Sequence, residues 1–246
     1  MPNNSFAYLP AKTYFNWSTG KDSALALYYL LQNKEFSIDK LVTSINSHHD
    51  RVSMHGLKRE LMIRQAAETG IPLTTIELPE EPTMEEYNTI MSSLVAELKN
   101  EKFTHTGFGD IFLEDLRNYR EQQLKQHNIS CLFPLWKKDT TKIAQEFFNL
   151  GFKAIVICIK SELLDESFIG REFDQSFVRD LPANVDPCGE NGEFHTFCYD
   201  GPIFNNPIQF EIGEKIYREY KNPAKKEENS KDKSMGFWFC DLLPKE

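Results

Sequence analysis

The 246-residue sequence has few cysteines. There are five, at 131, 158, 188, 198 and 240, and no two stand in C-x-x-C spacing. An odd count without that spacing argues against both a zinc ribbon and a disulfide framework, so free thiols in a reducing compartment are expected. Long apolar runs are missing too. No window approaches the ~20 apolar residues of a membrane-spanning helix, and the opening MPNNSFAYLPAK lacks the apolar stretch of a secretory leader. No membrane association and a cytoplasmic location are expected. Positive charge is scarce, with 28 Lys and Arg against 37 Asp and Glu and a net charge of −9. Because phosphate neutralisation drives nucleic-acid affinity, this balance weighs against a general nucleic-acid binder. The Walker A pattern and the G-x-G-x-x-G dinucleotide pattern are both absent.

What remains is the composition of a globular protein: 40% hydrophobic and 26% charged residues. The length suffices for one large domain or two small ones. Nineteen Phe and three Trp supply material for cores and for a site that holds a flat ring.

The first half alternates β-like runs with helical patterns. Strands are expected at 13–17, 41–45, 73–78 and 103–107. Helices are expected at 22–32, 55–69, 83–99 and 113–127. Thr83 and Glu86 fit a capping box, and Gly70 with Pro72 should stop the second helix. This rhythm predicts a parallel sheet with helices on both faces, with ligands beyond the carboxyl ends of its strands.

After Ile129 the texture changes. A helix at 140–150 and a strand at 154–159 read as one more pair of the same kind. They are followed by short β-like runs at 195–198, 208–212 and 237–242. The stretch NPAKKEENSKDKSMG, residues 222–236, reads as a solvated loop. A boundary near 129 would divide an α/β domain (1–128) from a smaller α+β domain (129–246).

The sharpest motif is Ser18-Thr19-Gly20-Lys21-Asp22-Ser23, which follows the first strand and opens the first helix. That placement offers backbone N–H groups and the positive end of a helix dipole to an anion. Gly20 permits close approach to a phosphate. Ser18, Thr19 and Ser23 bring hydroxyl donors, and Lys21 brings a mobile charge. Asp22 would repel a bare phosphate, but it suits a Mg²⁺ ion bridging phosphate oxygens.

The second motif is Glu190-Asn191-Gly192-Glu193-Phe194-His195-Thr196. Glu193 and His195 stand two apart, so an extended backbone would turn both to one face. Such a group could bind ammonia, orient an acyl group or move protons, or it could be an exposed polar turn.

S-T-G-K-D-S resembles the S-G-G-x-D-S pyrophosphate loop of the N-type ATP pyrophosphatases, with Thr19 in place of a glycine. Together the two motifs resemble the diphthine–ammonia ligase family of those enzymes. Ser53-Met54-His55, Gly107-Phe108-Gly109-Asp110-Ile111 and Pro134-Leu135-Trp136 fit as well. The resemblance runs over roughly residues 13 to 204. It implies a HUP-type, Rossmann-like α/β domain that binds ATP, an acyl-adenylate intermediate, pyrophosphate release and attack by ammonia.

The resemblance also implies roles. Ser18 to Ser23, Met54, His55, Gly107, Gly109 and Asp110 would bind ATP, with Asp22 on Mg²⁺ and Lys21 offsetting charge as pyrophosphate leaves. Glu190, Asn191, Glu193 and His195 would bind the acceptor, and Glu193 would take a proton from ammonium. The diphthamide enzymes resemble E-G-G-E-[FY]-E-[TS] at this place. Asn191 and His195 depart from that pattern and resemble a sister group associated with corrinoid amides. The His exchange would replace a fixed negative charge with a group titrating near neutrality.

The implied partners are ATP, free ammonia and a carboxylate-bearing acceptor, either a protein side chain or a corrinoid. A homo-oligomer stays open. His48, His49 and His55 read as surface histidines of one loop rather than as a metal cluster. Three other classes compete: a tRNA-modifying sulfur transferase, which would want a cysteine pair and a basic surface; a non-catalytic nucleotide sensor, which would not need the second motif; and an interaction module, for which both motifs are coincidence.

Overall fold

The computed structural model describes residues 9–53, 55–221 and 234–245. Strand β1 (Ala11–Asn16) runs through the middle of a six-stranded sheet. Its neighbouring positions Tyr14 and Phe15 are both buried, yet they belong to different core clusters, one on each face of the sheet. A strand covered on both faces reads as an apolar run rather than an alternation, which is how TYFNW appears in the sequence.

β2 (Phe36–Asn46) and β5 (His105–Gly107) flank β1, both parallel to it. β6 (Ser130–Leu132) adds to β5, also in parallel, so the first sheet extends past residue 129. On the far side of β2 lie β4 (Leu73–Leu78), in parallel, and the two-residue β3 (Arg51–Val52), antiparallel. The chain leaves β1 toward β2 and later returns to β5 on the other side. The carboxyl end of β1 is therefore the switch point of the sheet, where doubly wound sheets open a crevice.

Helix α1 (Lys21–Gln32) follows β1, α2 (Arg59–Glu68) follows β3, α3 (Met84–Asn100) follows β4, and α4 (Glu114–Lys125) follows β5. The capping box forms as expected: Thr83 Oγ1 accepts from Glu86 N, and the Glu86 carboxylate accepts from Thr83 N. Gly70, at φ +69°, ends the turn after α2. The second helix starts later than the expected residue 55. The chain after β2 first folds back as β3, and Gly56 then turns at φ +71°.

The second sheet is antiparallel. It is built from β7 (Lys153–Lys160), β8 (Phe194–Asp200), β9 (Phe210–Lys221) and β10 (Ser234–Pro244), in the order β8-β7-β10-β9. Helix α5 (Thr140–Asn149) precedes β7, which joins this antiparallel sheet rather than repeating the parallel unit. A 3-10 turn (Glu166–Phe168) and the short α6 (Gln175–Asp180) had no counterpart in the sequence reading. The solvated stretch expected at 222–236 lies outside the described residues from 222 to 233. Ser234, Met235 and Gly236 instead pair with Lys221, Tyr220 and Glu219 in β10.

Helices α1 and α2 lie between the two sheets, α1 touching β8 and α2 touching β10. One continuous core therefore runs from Phe15, Leu27 and Leu61 to Phe147, Val156 and Phe197. Each fully buried side chain of this size contributes about 1.5–3 kcal/mol, so the two sheets stabilise one another. Among the described residues no helix is long and apolar enough to cross a membrane.

Candidate nucleotide and acceptor site

A cavity of about 1430 Å³ opens at the carboxyl end of β1. Its lining includes Ser18, Gly20, Lys21, Asp22 and Ser23 from the turn after β1, and Gly109 and Asp110 from the loop after β5. His55 lines it from the loop after β3, and Glu190, Asn191 and His195 line it from the second sheet and its leading turn. The structure thus brings the two sequence motifs to one cleft.

Helix α1 has Gly20 as its N-cap, and no side chain of the turn caps it. Its first N–H is instead taken by a residue from the second sheet: Lys21 N donates to Thr196 Oγ1 at 3.1 Å. Ser18 Oγ donates to Ser23 Oγ, and Ser23 Oγ to Gly20 O, so the hydroxyls are ordered across the turn. Gly109 is needed for fit, because a Cβ there would lie 2.9 Å from Ser23 N. That contact brings the loop after β5 onto the first turn of α1.

Thr19 sits at φ +74°, in the left-handed region that a β-branched residue rarely occupies. It is fully buried and does not line the cavity. Its carbonyl accepts from Cys198 N at 3.0 Å and from Gln65 Nε2 at 2.9 Å. Gln65 also donates to Cys198 O at 2.6 Å and accepts from Trp17 Nε1 at 2.9 Å. This single buried amide on α2 therefore holds the turn after β1 and β8 together.

Lys21 is not the mobile charge expected from the sequence. Its side chain is 4% exposed, its Nζ lies 2.7 Å from Asp22 Oδ2, and it also donates to the carbonyl of Cys188. The rings of Phe173 and Phe194 lie 5.2 and 5.3 Å from Nζ. Burial opposes the charge, but Asp22, Cys188 and Glu190 together raise the ammonium's pKa above its ordinary value. Asp22 uses Oδ2 for this pair and leaves Oδ1 buried without a partner.

Asp110 pairs with Arg120 Nη2 at 3.3 Å. Burial pushes the Asp110 carboxyl up; Arg120 opposes the shift and Asp22 adds to it. Gly107 does not reach the cleft. A Cβ there would lie 2.6 Å from both Leu30 and Phe15, so this glycine serves core packing. Met54 lies outside the described residues.

In the second motif, Glu190 Oε1 accepts from Ile111 N at 2.7 Å and Phe112 N at 3.3 Å, bridging to the loop after β5. Burial raises its pKa to about 7, against the pull of the Ile111 N–H and with help from Asp22. Glu193 and His195 do not share a face. Glu193 is 2% exposed and lies off the cavity, its Oε1 accepting from Asp186 N at 3.1 Å and Asn191 Nδ2 at 3.0 Å. It precedes the first residue of β8, and an irregular register between Val156 and Cys158 separates it from the strand's regular pleat.

His55 and His195 stack, with ring centroids 4.7 Å apart and planes at 29°. Burial, with the nearby Lys21 ammonium, pulls His195 down to about 4. It does not titrate near neutrality as expected. Burial, His195 and Lys21 likewise hold His55 well below its ordinary value. His55 therefore stands apart from the exposed His48 and His49. Those two instead approach Glu80, with His49 Nε2 3.1 Å from its Oε1 and His48 Nε2 3.8 Å from its Oε2.

Buried polar atoms without a partner are rare in folded proteins, and each costs about 1–3 kcal/mol. Among the described residues they are Thr19 Oγ1, Asp22 Oδ1, Tyr29 OH, His55 Nδ1, Asp110 Oδ2, Arg120 Nε and Glu193 Oε2. All but Tyr29 belong to the cleft or to the two motifs. Four of them, on Asp22, His55, Asp110 and Arg120, line the cleft itself, whereas Thr19 and Glu193 lie behind its wall.

Comparison with known proteins yields consistent matches. The family model for the diphthamide synthase N-terminal domain matches residues 11–127, and that for the C-terminal domain matches residues 139–229. The diphthine–ammonia ligase of Bos taurus is 30% identical over 110 residues, 42% of this chain and 41% of that protein. That of Mus musculus is 23% identical over 173 residues, 68% of this chain and 65% of that protein. That of Schizosaccharomyces pombe is 29% identical over 92 residues, 36% of this chain and 15% of that protein. The bovine and human matches each span less than half of the relative's length. A solved structure, the U34-tRNA thiolase NcsA from Methanococcus maripaludis with its 4Fe–4S cluster, aligns at 17% identity with a TM-score of 0.35. That alignment covers 58% of this chain and 59% of that one, too weak a likeness to argue from.

Proposed function

The chain belongs to the diphthamide synthase family, and on that footing we propose that it is an ATP-dependent carbon–nitrogen ligase of the ATP pyrophosphatase kind. In this reading an acceptor carboxylate oxygen attacks the α-phosphorus of ATP, the bond to the β-phosphate oxygen breaks, and pyrophosphate leaves. Ammonia then attacks the acyl carbon of the adenylate, AMP departs, and the extra proton on nitrogen passes to a base. The observation that carries this reading is the concentration of unpartnered polar atoms around a helix N-terminus that its own turn leaves uncapped.

The reading assigns the following roles. The Asp22 and Ser23 N–H groups, next after the one that Thr196 takes, and the Ser18 and Ser23 hydroxyls take the phosphates. Lys21, fixed under Cys188 and Asp22, supplies a positive field that strengthens as charge develops on the leaving pyrophosphate. The donor set fits Mg²⁺, since Asp22 Oδ1 and Asp110 Oδ2 are hard carboxylate oxygens without partners. Bound there, the ion would neutralise phosphate charge.

Glu190 is better placed than Glu193 to take the proton. It lines the cleft, and its pKa near 7 suits a general base at neutral pH. Glu193 instead shapes the turn from Asp186 to Asn191. The relatives' names make diphthine the first acceptor to try. A corrinoid carboxylate is the second, because His195 stands in the cleft where the diphthamide pattern has a glutamate.

The test is product analysis with ATP, ammonium and an acceptor. AMP and pyrophosphate in equal amounts support the reading; ADP and orthophosphate end it.

A further inference from the structure

We propose that the cleft-facing side of the β9–β10 hairpin is a binding wall for a ring-bearing carboxylate, and that the acceptor docks on it before activation. The identification of this ligand as the acceptor rests on the ligase reading above.

Alternate residues of paired strands share one face of a hairpin. Here the register sets Met235 opposite Tyr220, Phe237 opposite Arg218, and Phe239 opposite Ile216. All six side chains line the cleft. Three of them form an aromatic cluster: Tyr220 lies 5.9 Å from Phe237 and 6.4 Å from Phe239, and Phe237 lies 6.4 Å from Phe239. The rings are tilted by 40° to 71°, so they do not consume one another's faces by stacking. Ile216 and Tyr220 remain 36% and 45% exposed. Large apolar side chains gathered in an open cleft mark a place where a ligand covers them.

The wall is held in position at its base. Asp241 of β10 pairs with Arg51 at 2.8 Å and Lys58 at 3.0 Å, on either side of the loop that carries His55. Phe239 packs on Gly56, where a Cβ would come within 3.3 Å of the ring. The wall therefore adjoins the stacked His55–His195 pair, which leads to the phosphate turn. The cavity of about 1430 Å³ also exceeds the ~300–1,000 Å³ typical of a site for one small molecule. It has space for a nucleotide and a second ligand.

The chemistry of the wall sets the ligand class. Its rings call for an apolar or planar body. Arg218, opposite Phe237, adds a guanidinium that favours an anion on the same face. β10 lies wholly beyond residues 139–229, so this face is only partly shared with the matched family domain.

The probe is 8-anilinonaphthalene-1-sulfonate, a ring-bearing anion, titrated by fluorescence on the full chain. ATP affinity is followed in parallel with a fluorescent methylanthraniloyl ATP. The double substitution Tyr220→Ala/Phe237→Ala should weaken the sulfonate by about tenfold or more and leave the nucleotide unaffected. Arg218→Gln should weaken the sulfonate but not the uncharged N-phenyl-1-naphthylamine. Tyr217→Ala, on the opposite face, should change neither. Should the double variant fail to fold, Tyr220→Ala alone on the exposed edge strand serves in its place. Unchanged sulfonate binding in these variants, a parallel loss of nucleotide affinity, or tighter binding of benzyltrimethylammonium than of the sulfonate would overturn the proposal. A wild-type chain that binds the sulfonate at this wall but no nucleotide would instead count against the ligase reading.

Discussion

His55, from the loop after β3, and His195, from β8, stack with ring centroids 4.7 Å apart, both kept neutral by burial beside the Lys21 ammonium. Above about pH 6.5 both the folded and the unfolded chain carry His195 uncharged. Between there and about 4 the unfolded chain takes up a proton that the folded chain refuses, so stability falls as pH drops through this window. His195→Gln should flatten that acid slope by on the order of 2 kcal/mol, allowing for the partial exposure of the ring. Urea midpoints at a series of pH values measure it, and an unchanged slope would show that His195 is protonated in the folded chain.

Replacing Asp22 tests the phosphate turn and the fold at once. Lys21 is 4% exposed and Asp22 26%, so Asp22→Ala strands a buried ammonium. The stability cost should be about 2–3 kcal/mol, below the fully buried range because Asp22 is partly open. For a chain of this length that lowers Tm by roughly 5–10 °C. Pyrophosphate release at a temperature where the variant is folded should fall by ~10²-fold or more. Full activity in the folded variant would remove Asp22 from the chemistry.

Glu190 should set the acid limb of activity. With its pKa raised to about 7, the base form grows as pH rises through neutrality, and kcat/KM should rise with it. Glu190→Gln should abolish that dependence and lower amide formation while adenylate formation persists. A pH profile unchanged in the variant would assign the base elsewhere.

Thr19 carries backbone strain at φ +74°. A left-handed conformation costs an L-residue about 1–2 kcal/mol, and glycine about none. Thr19→Gly should therefore melt no lower than the parent despite losing a buried side chain, whereas Thr19→Ala keeps the strain and should melt lower. Thermal melts of the two variants decide it, and the reverse order would mean that the side chain, not the backbone, governs this position.

Much of the first sheet was legible in the sequence because its strands are short, apolar and separated by amphipathic helices. TYFNW, LTTIEL and the Thr83–Glu86 box each announce themselves locally. β9 was read short, since Glu214, Lys215, Arg218 and Glu219 give it no apolar alternation and only its pairing with β10 defines its length. The place of the Ser18–Ser23 turn in the cleft was legible from its position between β1 and α1, but the burial of Lys21 was not, because Cys188, Phe173 and Phe194 arrive from more than 150 residues away. Gly107 was placed in the cleft by its neighbourhood in sequence. The Leu30 and Phe15 side chains that confine it are visible only in three dimensions. Gln65 escaped notice, although a lone amide among the apolar residues of α2 was a signal available to be read, and Thr196 was noticed only as the end of the second motif, without its bond to Lys21 N.

That amide has a consequence for anyone dividing the chain. Gln65 binds the Thr19 carbonyl and the Cys198 carbonyl with one nitrogen, while Thr196 takes the first N–H of α1. A fragment ending at residue 128 would keep every residue of the anion cradle and lose half of its scaffolding. Nucleotide affinity should then disappear from the shortened piece, and mixing it with the remainder should restore binding only to the extent that the two halves reassociate.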